Sequence, residues 1–207
     1  DTFISHFEIH SSFIYYLLVP FFKLFPYEET LLIAQAVLAM GGVVPLFLIA
    51  KRREFKGLSL LFISGLYVFS TCLIAPCFYD FHENAFLAPL ILWTLYFIHA
   101  EKWIPTFIFA LGVLMVKEDA AMYVGFIALY VIFARKKIWR GLLLFVMTFA
   151  YFLFAMWMLM QNGEGIMLGG RYYNIIGSKG GFIDLIRVAL VNPALYAAES
   201  FTYEKLL

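Results

Sequence analysis

Long unalternating apolar runs, separated by short polar clusters, make up most of the chain. A helix that crosses the hydrocarbon core needs roughly 20 apolar residues, with about 17 to 25 the usual range. Six runs approach that length: Thr30–Ala50, Gly57–Phe78, Ala85–His99, Trp103–Val116, Ala120–Ala134 and Gly141–Met160. The third to fifth are short for a span, so they extend into their flanking turns or stand nearly upright. A membrane β-barrel would show short segments of alternating polarity, and these runs do not alternate. The pattern predicts an all-α polytopic transmembrane protein of about six spans.

The flanks read differently. Ser12–Phe25 is apolar and aromatic but contains Pro20 and Lys23. It is too short to span and reads as a helix lying in the membrane interface. Gln161–Leu207 opens Gly-rich and then shows a weak helical pattern through Phe182–Val191. The expected organisation is an outer loop with an interfacial helix at 1–29, a six-span domain at 30–160, and an outer loop with short helices at 161–207. The chain opens on Asp1 and stops in a polar stretch, so it is expected to be a piece of a longer protein.

Composition supports lipid as the solvent. Hydrophobic residues make up 64% of the chain and charged residues only 14%, with a mean hydropathy of +0.88. A soluble domain is about half apolar and about a quarter charged, and a small fold leaves much of its surface exposed. The net charge of +1 gives no basis for nucleic-acid binding. Cys72 and Cys77 lie in or at the end of an apolar run without zinc or redox spacing, and read as small hydrophobes.

Charge sets an expected orientation. Alternate loops carry Lys51, Arg52, Arg53 and Lys56, then Lys102, then Arg135, Lys136, Lys137 and Arg140. These nine basic residues face two acids, Glu54 and Glu101. The positive-inside rule makes that side cytoplasmic. The remaining twelve acids and six basic residues, with His6, His10 and His82, fall on the extracytoplasmic side.

Three polar knots lie on that outer face: Ser5–His10, Asp80–Glu83 and Lys117–Asp119. Carboxylates near bilayer depth are costly and mark functional pockets. A bland alternative exists for each. Asp80–Glu83 and Glu118–Asp119 suit helix N-termini as caps, Lys117 can snorkel, and the first knot can be a solvated loop. As chemistry, Asp80, Glu83, Glu118 and Asp119 supply candidate catalytic carboxylates, since a general base must sit within hydrogen-bond reach of its proton. Asp80, His82 and Glu83 form a tentative set for a divalent metal ion, Mg or Mn. His6, His82 and Lys117 are candidate substrate contacts. Arg171-Tyr172, after a Gly-rich stretch, would clamp a lipid phosphate, for which Arg suits bidentate contact.

The motifs resemble a family of bacterial multi-pass membrane proteins described only as predicted membrane proteins. That family is grouped with the GT-C superfamily of lipid-phosphosugar-dependent glycosyltransferases. Its pattern runs through an HFSP-like start, an amphipathic membrane-proximal stretch, a basic turn, a DFHPE-like loop, a VKEDA-like turn and a later Arg-Tyr. The matching residues are His6-Phe7-Glu8-Ile9, Lys51–Lys56, Asp80-Phe81-His82-Glu83, Val116-Lys117-Glu118-Asp119-Ala120 and Arg171-Tyr172. Order and spacing fit across nearly the whole chain, and Asp80–Glu83 and Val116–Ala120 are the specific matches. Glu8 and Ile9 replace the Ser and Pro of the first motif, and the second lacks its proline.

The resemblance implies a GT-C-like polytopic fold with its site on outward loops. It also implies transfer of a sugar from a polyprenyl-phosphate donor. In such enzymes the first outer loop carries an acidic catalytic residue; this chain begins in what would be that loop. The contrasting expectations are an ion- or proton-coupled transporter, which would place acids through the membrane depth, and a non-catalytic membrane scaffold, in which the acids would lie apart.

Overall fold

The computed structural model describes residues 10–162, 173–177 and 182–200, and all regular structure among them is helical. The order is α1 (Ile14–Leu24), α2 (Glu28–Gly41), α3 (Val43–Arg52), α4 (Leu58–Val68), α5 (Thr71–Tyr79), a 3₁₀ turn (Glu83–Phe86), α6 (Leu87–His99), α7 (Trp103–Leu114), α8 (Ala120–Phe133), α9 (Ile138–Asn162), α10 (Tyr173–Ile176), α11 (Phe182–Val191) and α12 (Pro193–Ser200). Two units result, and the chain passes from one to the other within α9. The larger comprises His10–Ala155; the smaller holds, of the described residues, 156–162, 173–177 and 182–200.

Two of these helices are long and apolar enough to cross a membrane: Glu28–Arg52, which joins α2 and α3, and Ile138–Gln161 within α9. The run predicted at Gly57–Phe78 is divided. Ser70 adopts an extended conformation (φ −64°, ψ 127°) and its carbonyl accepts the N–H groups of Leu73 and Ile74, which starts α5 afresh. The run predicted at Ala85–His99 opens as a 3₁₀ turn before α6. An apolar helix occupies the predicted position at Ser12–Phe25.

The helical ladder of Glu28–Arg52 is interrupted at Gly42 for local reasons. Pro45 has no N–H for the Gly41 carbonyl, and its ring crowds that oxygen. The chain tightens there, with Gly42 N–H donating to Ala39 O at 3.3 Å. The Tyr67 hydroxyl of α4 donates to the same carbonyl at 2.8 Å. Gly42 makes room for this contact: a Cβ there would strike the Tyr67 hydroxyl and lie 3.0 Å from Pro89 Cα of α6.

In the larger unit α6 and α7 form an antiparallel hairpin through Ala100–Lys102, and α8 packs on both. Their shared core is Ile98, Ala110, Val113, Leu114, Ala120, Val124, Ala128 and Val131, with Leu144 from α9. Much of the core is Ala and Val, and such small side chains let helix backbones approach closely. Outward faces remain apolar: Leu58, Phe78, Ile104 and Phe133 are each at least 75% exposed. Exposed apolar surface on that scale suits lipid rather than water as the solvent. A second cluster, Ile14, Leu18, Phe86 and Val116, joins α1 to the ends of the hairpin.

In the smaller unit, Asn174 Nδ2 donates to Glu199 Oε2 at 3.2 Å, tying α10 to α12. Asn192 Oδ1 accepts the Leu195 N–H at 3.2 Å and caps α12.

Replacing Gly42 with Val is expected to cost about 1–3 kcal/mol by overpacking. Gly41→Ala, where a Cβ meets nothing within 4 Å, should be neutral or slightly stabilising, because Ala favours helix over Gly. Thermal unfolding of the two variants in detergent checks the contrast.

Candidate functional site

The site is built where the segment preceding α1 crosses two helix-terminal loops. Residues His10–Phe13 are irregular, so their backbone groups need partners from outside. The Lys117–Asp119 turn and the end of α7 supply them. Ser11 N–H donates to Glu118 Oε2 at 3.0 Å, and His10 Nδ1 lies 3.0 Å from Glu118 Oε1. Ile14 N–H, one of the unsatisfied donors at the start of α1, reaches Met115 O at the end of α7 over 2.7 Å.

One helical turn later the same segment meets the second loop. The Tyr15 hydroxyl donates to Glu83 Oε2 at 3.0 Å, and its ring packs on Phe81 with centroids 5.7 Å apart. Glu83 is only 5% exposed. The loop itself is held from below by Gln35 of α2. Gln35 is fully buried; its Oε1 accepts the His82 N–H at 2.7 Å, and its Nε2 donates to the Asp80 carbonyl at 3.3 Å. Both halves of the amide are used, so the loop backbone is fixed in position and Glu83 turns inward.

Electrostatics at Glu118 run in opposition. Burial pushes the carboxyl up, but the Ser11 N–H, its own backbone N–H and the neighbouring His10 outweigh burial and hold it below the usual carboxylate range. Ser11 Oγ and the Tyr151 hydroxyl are buried beside it. They are neighbours, yet neither forms a hydrogen bond of good geometry among the described residues. Phe13 closes the side, stacked on Phe154 at 5.7 Å and edge-on to Tyr151 at 6.3 Å.

Of the residues expected from sequence, Glu83 and Glu118 are thus joined through one short segment. Lys117 is half-buried beside Glu118, while Asp119 is exposed at the start of α8. Asp80 and His82 are exposed. The Asp80 carboxylate accepts its neighbour Phe81's N–H at 2.7 Å. The trio Asp80, His82 and Glu83 is therefore not assembled for a Mg or Mn ion: two members face outward and the third inward toward Tyr15. Among the described residues no group of three or more His, Cys, Asp or Glu is arranged to hold a metal. His6, Arg171 and Tyr172 lie outside the described residues.

Sequence reasoning missed Gln35, Ser11, Tyr15 and Tyr151. Gln35 carried a signal, as the one side-chain amide inside the run Thr30–Ala50, where an unpaired polar group would be costly. The other three look like ordinary members of aromatic or polar stretches.

An apolar groove of about 1130 Å³ opens next to these loops, walled by α1, α2 and the start of α6. Ile14 and Phe86, which lie in the cluster beneath Tyr15 and Glu83, also line it, and Phe21, Val37 and Trp93 continue its wall.

Two consequences follow. Gln35→Leu leaves the His82 N–H and the Asp80 carbonyl without partners, at a cost of about 1–3 kcal/mol each if they stay buried. Hydrogen exchange across 80–86 should rise while the α6–α7 hairpin keeps its protection. Glu118 has a depressed folded pKa, so its stabilisation is present above the ordinary carboxylate pKa and is lost as pH falls through the folded value. Melting temperature measured from about pH 7 to about pH 3 should fall more steeply in the parent than in Glu118→Gln, which starts lower and is flatter.

No curated protein and no solved structure matches the chain. A family model described as "Predicted membrane protein (DUF2079)" matches residues 2–206. The apolar exposed helices and their polar ends agree with that description, and the match covers nearly the whole chain: the protein belongs to the DUF2079 family of predicted membrane proteins.

Proposed function

We propose that this chain is part of a GT-C-like membrane glycosyltransferase that transfers a sugar from a polyprenyl-phosphate donor on the extracytoplasmic face. The observation that carries this reading is the pairing of two buried-side acids with an apolar groove. Glu83 and Glu118 both engage the segment His10–Tyr15, and the groove beside them shares Ile14 and Phe86 with the cluster under that segment. An isoprenoid chain would lie along the groove with its phosphate at the acidic loops.

In this reading the membrane domain has six crossings. α4 with α5, then α6, α7 and α8, supplement the two long helices, and α1 lies in the interface. Helices of 12 to 14 residues are roughly 18–21 Å long, shorter than the hydrocarbon core of about 30 Å. They cross with their flanking turns or where the bilayer thins. The basic turns face the cytoplasm and the acidic loops the outside.

The chemistry assigns a proton acceptor and a phosphate partner. A carboxylate takes the proton of the acceptor hydroxyl; that oxygen forms a bond to the sugar C1. The C1–O bond to the carrier phosphate breaks, and its electron pair leaves with the phosphate. Glu118 is assigned the base for its place beside the outer segment, with Glu83 as the second acid. Asp80 and Asp119 border them on the exposed side. Lys117 balances phosphate charge, with His82 and, from outside the described residues, His6, Arg171 and Tyr172 as further contacts. No step runs through a metal ion.

The test is transfer of labelled sugar from polyprenyl-phosphate sugar by the full-length protein in proteoliposomes. Glu118→Gln is expected to lower transfer by about 10²- to 10⁴-fold, the usual range for losing a general base, with a smaller loss for Asp80→Asn. Undiminished transfer in both variants would overturn the assignment, and ion flux without sugar transfer would favour a transporter.

A further inference from the structure

At the opposite ends of the helices, three basic turns meet on the α6–α7 hairpin. The Arg52 guanidinium, at the end of α3, sits over the Tyr96 ring at 5.5 Å. Arg140, at the start of α9, sits over Trp103 at 4.5 Å. Between α8 and α9, Arg135 and Lys137 approach the Glu101 carboxylate at 3.7 Å and 3.2 Å. The positive charges of Arg135, Arg53 and Arg52 all act on one imidazole, His99, which lies 3.3 Å from the Tyr130 hydroxyl. From two separate loops, guanidinium groups are thus brought to the closed end of the α6–α7 hairpin, whose own turn adds Lys102.

Gathering them is costly in two ways. The three turns hold nine basic residues against Glu54 and Glu101, so like charges repel with only two acids to offset them. The backbone is strained as well. Glu54 (φ 66°), Glu101 (φ 56°) and Lys136 (φ 53°) are the only non-glycine residues with left-handed φ among the described residues, one in each basic turn. A left-handed non-glycine residue costs about 1–2 kcal/mol, and strain of this kind collects at functional sites. Setting membrane orientation requires only the charge of these loops, not their convergence or their strained turns.

We propose that this meeting point binds the phosphate of an anionic phospholipid. With its Cζ over the Tyr96 ring at 5.5 Å, the Arg52 guanidinium uses a face on the ring and keeps N–H donors for a phosphate, which Arg can hold bidentately. The surroundings favour a lipid source. Phe133 and Ile104, next to the turns, are 75% and 78% exposed, so acyl chains have apolar helix faces to lie against. Basic pockets between membrane helices take anionic head groups by the same combination. Trp139, 78% exposed beside Arg140, suits the head-group level where aromatic rings gather.

The experiment titrates phosphatidylglycerol or phosphatidylcholine into the full-length protein in detergent and reads the melting temperature. The parent is compared with Arg52→Gln/Arg53→Gln/Arg135→Gln and with Lys51→Gln/Lys56→Gln/Lys136→Gln, which removes the same charge from the same turns. Phosphatidylglycerol should raise the melting temperature of the parent and of the lysine variant, with no rise in the arginine variant; phosphatidylcholine should do nothing. Should the triple variant fail to fold, exposed Arg53→Gln alone is expected to weaken the phosphatidylglycerol midpoint by about fivefold. Equal responses in the arginine and lysine variants, whether kept or lost, would overturn the site, as would an unmoved midpoint in Arg53→Gln. Inorganic phosphate at matched ionic strength is the last arm: a shift with phosphate but none with phosphatidylglycerol would overturn the lipid assignment.

Discussion

The Glu118 carboxylate anchors the outer segment of this protein. It sits in the turn between α7 and α8, opposite a segment whose N–H groups lack partners of their own. By accepting the Ser11 N–H and pairing with His10 it fixes the entry to α1, and the Ile14–Met115 backbone bond locks the same junction. Everything beyond depends on that capture. It sets where Tyr15 falls, hence which oxygen of Glu83 is engaged, and it sets the line of α1 along the groove. Hydrogen bonds to a charged group are about twice as strong as neutral ones, which suits one residue to so central a place.

Lipid as solvent explains the division of labour elsewhere. Helix faces are free to stay apolar because nothing is gained by covering them, so the interior is held by close approach of small side chains around Val113, Ala120, Val124 and Ala128. Charged groups then gather at the helix ends, while threonines within the helices, Thr94 and Thr148, return their hydroxyls to carbonyls one turn back. Gln35 is a buried side-chain amide within such a run, and both halves of it are bonded to the Asp80–His82 backbone. A buried amide left half-used would be among the more expensive features of the fold.

The two ends of the helices solve different problems with the same economy of charge. On one end, acids gather and are answered by the Ser11 N–H, the His10 imidazole and the Tyr15 hydroxyl. On the other, arginines gather and are answered by aromatic faces and one shared carboxylate, Glu101. The hairpin α6–α7 carries both, since its closed end bears Glu101 and Trp103 while its open end adjoins Glu83 and Glu118.

By itself the sequence determined the solvent, the helical class and the approximate run boundaries, because hydrophobic length along the chain is a local property. The polar knots at Asp80–Glu83 and Lys117–Asp119 were equally legible, as ionisable groups bounding apolar runs. Where helices break was less so: the interruptions at Ser70 and Gly42 depend on which carbonyl finds which donor. Only the tertiary structure decided which knot residues turn inward. Periodicity cannot orient a loop, and it took Gln35, Tyr15 and Ser11, distant in sequence from the acids they serve, to select Glu83 and Glu118 and leave Asp80, His82 and Asp119 facing out. The meeting of the three basic turns was decided the same way, since charge can be counted along a chain but its convergence depends on packing between helices far apart in it.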